Sequence, residues 1–89
     1  MEKLQLIAGI FSNEEAHEIL NNVFTAKIHF HAMKNFSSEE RFGSPDAIAR
    51  KRIPELTEEL VKVERIIQEA KAKGKKLAIS SEINIAFID

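Results

Sequence analysis

The most regular pattern of apolar positions in the chain falls in its second half. Apolar residues recur there at alternating intervals of four and three, at Ala49, Ile53, Leu56, Leu60, Val63, Ile67 and Ala70. This seven-residue repeat is typical of a helix that packs lengthwise against another helix. It continues without a break across Pro54, so we expect one helix over 45–73, kinked near the proline. The alternative is a helix that begins at Ile53, after a separate turn over 45–51.

A second helix is predicted over 12–35, and it carries two apolar stripes. Ser12 and Glu15 have the spacing of a capping box, which marks the start of a helix. The first stripe has intervals of four and three, and we expect it to pack against the other helix. Its members are Ile19, Val23, Ala26, Phe30 and Met33. The second stripe, Leu20, Phe24 and Ile28, is then available to cover a sheet.

The two ends of the chain have the pattern of β-strands. Segment 3–11 is rich in β-forming residues and too short for a helix, and its alternation places Leu4, Leu6 and Ile10 on one face. Segment 76–88 alternates with a period of two, and its set Leu77, Ile79, Ser81, Ile83, Ile85 and Phe87 is expected to face the helices. The opposite face of this strand is only half polar.

Segment 36–44 separates the two helices. Ser37 and Glu40 can form a capping box for a short turn, and Gly43 can adopt the left-handed conformation that ends it. Ser44 followed by Pro45 favours the start of the next helix. The order is therefore β-α-α-β within a single α+β domain over 1–89. We predict a long antiparallel helical hairpin packed on a two-stranded antiparallel sheet.

A two-stranded sheet is marginal alone, and its edges are unpaired. Strand 76–88 contains one internal charge and no proline, so its edge is open to pairing. We therefore expect a homodimer, in which either sheet edges join into four strands or the second faces stack. The predicted stacking surface consists of Ile7, Ala78, Ala86 and Ile88.

Composition narrows the class of protein. The 13 Lys and Arg residues nearly balance the 14 Asp and Glu residues, giving a net charge of −1, so no overall field favours nucleic acid or an anionic membrane. The chain has no cysteine, which excludes disulfides and thiolate metal sites. Its N-terminus does not have the pattern of a signal peptide, and no apolar run reaches the length of a membrane helix. We expect a cytoplasmic protein without a cofactor.

The segment from Lys27 to Gly43 concentrates polar side chains and raises the question of a reactive site. On a helix His29 and His31 point about 200° apart and cannot bind one metal ion. His31 with Glu39, Glu40 and Arg41 has no accompanying nucleophile motif, so an acid–base site is disfavoured. The remaining candidate is a polar patch of Lys27, His31, Lys34 and Arg41. Lys27 and Lys34 fall within the apolar arc, and we expect them to snorkel or to pair with carboxylates of the second helix.

Three functions are open on the sequence alone. The favoured one is a non-enzymatic, self-associating protein-interaction or regulatory module. The second is a small nucleic-acid-associated regulator that uses the basic clusters 50–52 and 71–76, although no Tyr or Trp is present to stack on bases. The third is a ligand-binding or catalytic site at a dimer junction, because one 89-residue hairpin has little room for a pocket of its own.

Overall fold

A computed structural model of the chain covers Met1–Asp89. The elements follow in the order β1 (Glu2–Phe11), α1 (Asn13–Phe42), α2 (Ala47–Ala72) and β2 (Leu77–Ile85). The two strands form one antiparallel two-stranded sheet, and the two helices pack on it. The predicted fold class is confirmed.

Helix α1 begins where the sequence predicts and ends seven residues later than predicted. The Ser12 hydroxyl accepts a hydrogen bond from the Glu15 backbone N–H at 3.1 Å, and the Glu15 carboxylate accepts one from the Ser12 N–H at 2.9 Å. The hydrogen bond from the Ser12 backbone N–H to the carboxylate, with a further contribution from the Ser12 hydroxyl, holds the pKa of Glu15 below its ordinary value. The separate turn predicted over 36–44 is wrong: α1 continues through Ser37 and Glu40 and stops at Gly43, which has φ 70°. Serine is only mildly unfavourable inside a helix, so it does not end one.

Helix α2 is a single helix that contains Pro54. Its N-cap is Asp46, whose carboxylate accepts a hydrogen bond from the Ala49 N–H at 2.8 Å, so the predicted start at Ser44–Pro45 lies two residues too early. A start at Ile53 is excluded, because the helix is continuous from Ala47. The Thr57 hydroxyl donates to the Ile53 carbonyl at 2.8 Å, in the turn that follows the backbone hydrogen bond missing at Pro54.

The hairpin is closed by polar contacts at both ends. His17 Nε2 lies 2.9 Å from a carboxylate oxygen of Glu64, near the strands. At the other end the Asn35 side-chain oxygen accepts a hydrogen bond from the Asp46 N–H at 2.9 Å. These contacts fix the antiparallel alignment of α1 and α2.

The stripe of α1 that faces α2 is not the predicted one. Ala16, which is completely buried, and His31 share one side of the helix with the half-buried Leu20, Phe24 and Ile28. Apart from the half-buried Ile19, the stripe that we expected at this interface is instead on the surface, where Val23 is 38% and Phe30 51% exposed. On α2 the predicted seam is correct, since Ala49, Leu56, Ile67 and Ala70 are its buried residues.

The sheet has a bulge that changes which residues of β1 share a face. The pairing runs from Phe11 with Leu77 to Glu2 with Ile85, with a register shift between Gln5 and Ile7. Leu4 therefore pairs with Ile83, whereas Ile10 pairs with Ala78. Because the pairs alternate in face, the prediction that Leu4 and Ile10 share one face is wrong.

The helix side of the sheet can be recognised from burial. Leu77, Ile79 and Ser81 are half-buried, whereas Ala78 and Ser80 are exposed, so the predicted orientation of β2 is confirmed over this part. Ile83 and Ile85 belong to the same face by alternation but are exposed. The far end of the sheet is therefore not covered by the hairpin.

Candidate functional site

The main chemical feature of the folded chain is uncovered apolar surface. A 10.1 kDa monomer is expected to expose about 5,300 Å², whereas this chain exposes 7083 Å². No large side chain is fully buried. The Cα radius of gyration is 16.2 Å, against about 12 Å expected for a globular chain of this length. The single chain therefore forms a flat layer without a closed interior.

One part of this surface is the outward stripe of α1, which we define as Val23, Ala26, Phe30 and Met33. All four residues are exposed. The ammonium groups of Lys27 and Lys34 lie 5.2 Å and 5.7 Å from the centroid of the Phe30 ring, within the range of cation–π attraction. Neither lysine forms an ion pair, so the predicted pairing with carboxylates of α2 is wrong.

A second part is an apolar cavity of about 300 Å³ between the sheet and the hairpin. Its lining comes from α1, α2 and β2, with no residue of β1, so it lies on the side of β2 that has no neighbouring strand. The lining residues are Leu20, Val63, Ile66, Ile67, Leu77, Ala78, Ile79 and Ser80. We refer to it as the β2-edge cavity.

The predicted stacking surface is not a single face. Ile7 is 6% exposed and pairs with Ser81, on the helix side of the sheet. Ala78 is exposed on the opposite face, and Ala86 and Ile88 follow the end of β2. Ile7 is therefore removed from the surface, because the bulge and the hairpin together bury it.

The residues of the predicted polar patch, Lys27, His31, Lys34 and Arg41, also do not form one surface. His31 is buried, and neither of its ring nitrogens has a hydrogen-bond partner. Its ring meets that of Phe30 edge-on, with centroids 5.5 Å apart. Lys27 and Lys34 lie over Phe30, and Arg41 is exposed in the last turn of α1. The four side chains do not converge on one point of the surface.

The other polar candidates are held by structural contacts or lie apart. His17 pairs with Glu64, and no group of three or more His, Asp or Glu side chains is placed to hold a metal ion. The basic clusters 50–52 and 71–76 lie at opposite ends of α2, about 30 Å apart. Arg52 and Lys73 form ion pairs within the helix, with Glu55 and Glu69.

Ile66 is the α2 residue of the β2-edge cavity that lies outside the predicted seven-residue repeat. Ile66 is 53% exposed, and Ile48 and Val61 are also on the surface. Helix positions outside the seven-residue repeat usually face solvent and are polar. An apolar residue at such a position is therefore the signal in the sequence that indicates a further packing surface.

Neither helix combines the length and apolar character needed to span a membrane. Comparison with known protein families, with curated proteins and with solved structures finds no match to this chain. A proposal for the function of the chain therefore rests on its geometry.

Proposed function

We propose that the protein is a self-associating protein-interaction module whose working unit is a homodimer. The observation that carries this proposal is the surplus of surface, roughly 1,800 Å² above the area expected for a monomer of this mass. Obligate homodimers bury roughly 1,000–2,500 Å² on each subunit, and the surplus falls within that range. One further copy of the chain can therefore complete the fold.

Charge also supports a second copy as the partner. The net charge of −1 produces little repulsion between two identical chains. The exposed apolar residues occur on α1, α2 and both strands, so a second copy offers matching apolar surfaces without requiring a partner of different composition. The alternative, a chain that stays monomeric with this surface in water, would be prone to aggregation.

The polar side chains support an interaction module rather than a reaction centre. Glu15 is engaged in the cap of α1, His17 pairs with Glu64, and Asn35 joins the two helices. His31 is enclosed between residues of the hairpin. These groups hold the helices in place, which is what a scaffold for association requires.

Unfolding by urea at two protein concentrations tests this proposal. For a dimer that unfolds to separate chains, raising the concentration from about 1 µM to about 100 µM adds roughly 2.7 kcal/mol of stability. We expect the urea midpoint to rise by about 1 M or more, since slopes for small proteins are about 1–3 kcal/mol per molar. An unchanged midpoint, together with a monomer mass by light scattering, would refute self-association.

A further inference from the structure

The free edge of β2 is the part of the surface most open to a second chain. The sheet has two strands, so β2 pairs with β1 along one edge and has no strand along the other. Over Leu77–Ile85 the strand contains one charged residue, Glu82, and no proline. Exposed edges are normally protected by charges, prolines or bulges, and apart from Glu82 this edge lacks those devices.

We propose that two copies join through antiparallel pairing of their β2 strands, around a twofold axis at Ser81, to form a four-stranded sheet. This inference rests on the proposed homodimer and assigns its interface. Ser81 is the central residue of β2, so pairing centred there uses the whole strand. The pairing repeats the antiparallel contact that β2 already makes with β1.

This register matches the side chains on both faces of the joined sheet. On the helix side, Ile79 lies beside the partner's Ile83, and Leu77 beside the partner's Ile85. On the outer side, Ser80 lies beside the partner's Glu82, so no like charges meet. A shift by one residue would place helix-side residues of one copy beside outer residues of the other. A shift by two residues would either place Ile79 beside the partner's Ser81 or bring the two Glu82 side chains together.

The same register closes the β2-edge cavity. Ile79 and Leu77 line the cavity together with Val63 and Ile66 of α2. The partner's Ile83 and Ile85, standing next to them on the helix side, would extend the apolar surface over α2. In the single chain Ile83 is 38% and Ile85 50% exposed, and the pairing gives both a place to bury.

The outward stripe of α1 is a less suitable surface for the twofold contact. Lys27 and Lys34 flank it and have no carboxylate partners. In an antiparallel pair of identical helices the same flank of each helix meets, so the lysines of both copies would be brought together. The β2 edge has no such repulsion.

Single cysteines distinguish the two surfaces, because the chain has no cysteine of its own. Residues directly opposite in an antiparallel pair have Cα atoms about 4.5–5.5 Å apart, within the range of a disulfide. Ser81→Cys is therefore expected to form a covalent dimer under mild oxidation. The matched variant Ala26→Cys, in the outward stripe of α1, should remain uncrosslinked.

Charge substitutions at Ser80 provide a test that does not depend on oxidation. Ser80 is exposed and pairs with Ala8 within the chain, so a charged residue at position 80 does not lie across from a charged residue of β1. Ser80→Glu would face the partner's Glu82 twice across the axis, whereas Ser80→Lys would form two opposite-charge pairs. We expect the dimer of Ser80→Lys to have a Kd roughly tenfold lower than that of Ser80→Glu.

Mixing two variants sharpens the comparison. Ser80→Glu has two acidic residues at this site, and the double variant Ser80→Lys/Glu82→Lys has two basic ones, so each repels itself and attracts the other. Native mass spectrometry of the refolded mixture should show heterodimers well above the binomial proportion. Circular dichroism of each variant checks that it is folded.

The outcomes separate this inference from the proposed function. A wild-type chain that is monomeric overturns both. A wild-type dimer that crosslinks through Ala26→Cys, or that shows neither Ser81→Cys crosslinking nor preferential mixing, retains self-association and overturns the β2 interface. Crosslinking at Ser81 with enriched heterodimers supports the interface.

Discussion

Replacing His31 by leucine is expected to stabilise the protein, against the usual effect of substitutions inside a helical hairpin. His31 is 6% exposed, and both of its ring nitrogens are buried without a hydrogen-bond partner. A neutral imidazole presents one donor and one acceptor, and each buried group left unpaired costs about 1–3 kcal/mol. Leucine has no polar atoms and fills a similar volume, so it removes that cost.

The stabilisation expected from His31→Leu is reduced by the loss of the favourable contacts that the histidine ring makes. Its edge-on contact with Phe30 is an aromatic pair of the kind worth about 0.5–1.5 kcal/mol. Reshaping the packing at constant volume costs less than about 1.5 kcal/mol. We expect a net increase in the free energy of unfolding of about 1–2 kcal/mol, which corresponds to a rise in Tm of about 4–16 °C for a domain of this size.

Thermal unfolding followed by circular dichroism at one fixed protein concentration measures this change, since the stability of a dimer depends on concentration. The matched control is His29→Leu, two residues earlier on the exposed side of α1, which should change stability by no more than about 0.5 kcal/mol. If His31→Leu destabilises the protein by 1 kcal/mol or more, the reasoning is refuted. The ring nitrogens would then be bonded to a partner outside the single chain.

Three further substitutions test the contacts that define the helices, each by urea unfolding. Ala49→Leu should cost about 1–3 kcal/mol, because Ala49 is completely buried at the helix interface; a neutral effect would mean that the helices are not closely packed there. Gly43→Ala should cost about 1 kcal/mol or more, because Gly43 has φ 70°, whereas Gly43→Asn should cost less. Glu15→Gln should lower the free energy of unfolding at neutral pH. The difference in stability from wild type should shrink as pH falls below the ordinary pKa of 4.5 and Glu15 becomes protonated. A difference in stability that does not depend on pH would contradict the capping role of the carboxylate.

The features that the sequence predicts correctly are those that depend on neighbouring residues. The capping box of Ser12 and Glu15 forms as its spacing predicts, and Gly43 adopts the left-handed conformation. The alternation of β2 identifies its helix side over Leu77–Ser81. In each case the physical cause lies within a few residues of the chain, so the local pattern contains the information.

The features that it does not predict depend on contacts between distant residues. Two apolar stripes on α1 have similar length and composition, and the spacing does not say which one faces α2. The choice is fixed by close packing at both ends of the hairpin, where Ala16 of α1 and Ala49 of α2 are each completely buried, and by the contact of His17 with Glu64. The bulge near Leu6 is likewise set by the pairing with β2, and it reverses the faces assigned to half of β1.

For the candidate site, the sequence predicts an open edge on β2, which the two-stranded sheet confirms, whereas pairing with a second copy stays a prediction. The open edge of β2 and the expectation of a second copy follow from the apolar alternation and the lack of charge in this strand. The predicted stacking residues do not form one exposed surface, because Ile7 is buried by the hairpin. Ile66 could be assigned to the β2-edge cavity only after the strand was placed beside α2.

Sedimentation equilibrium over a wide range of protein concentration tests the central claim most directly. If a second copy covers exposed apolar surface of the chain, the mass at micromolar concentration and above will be twice the 10.1 kDa of one chain, and it will fall toward one chain only on strong dilution. A constant mass of 10.1 kDa at every concentration, with the protein folded and soluble, would contradict it.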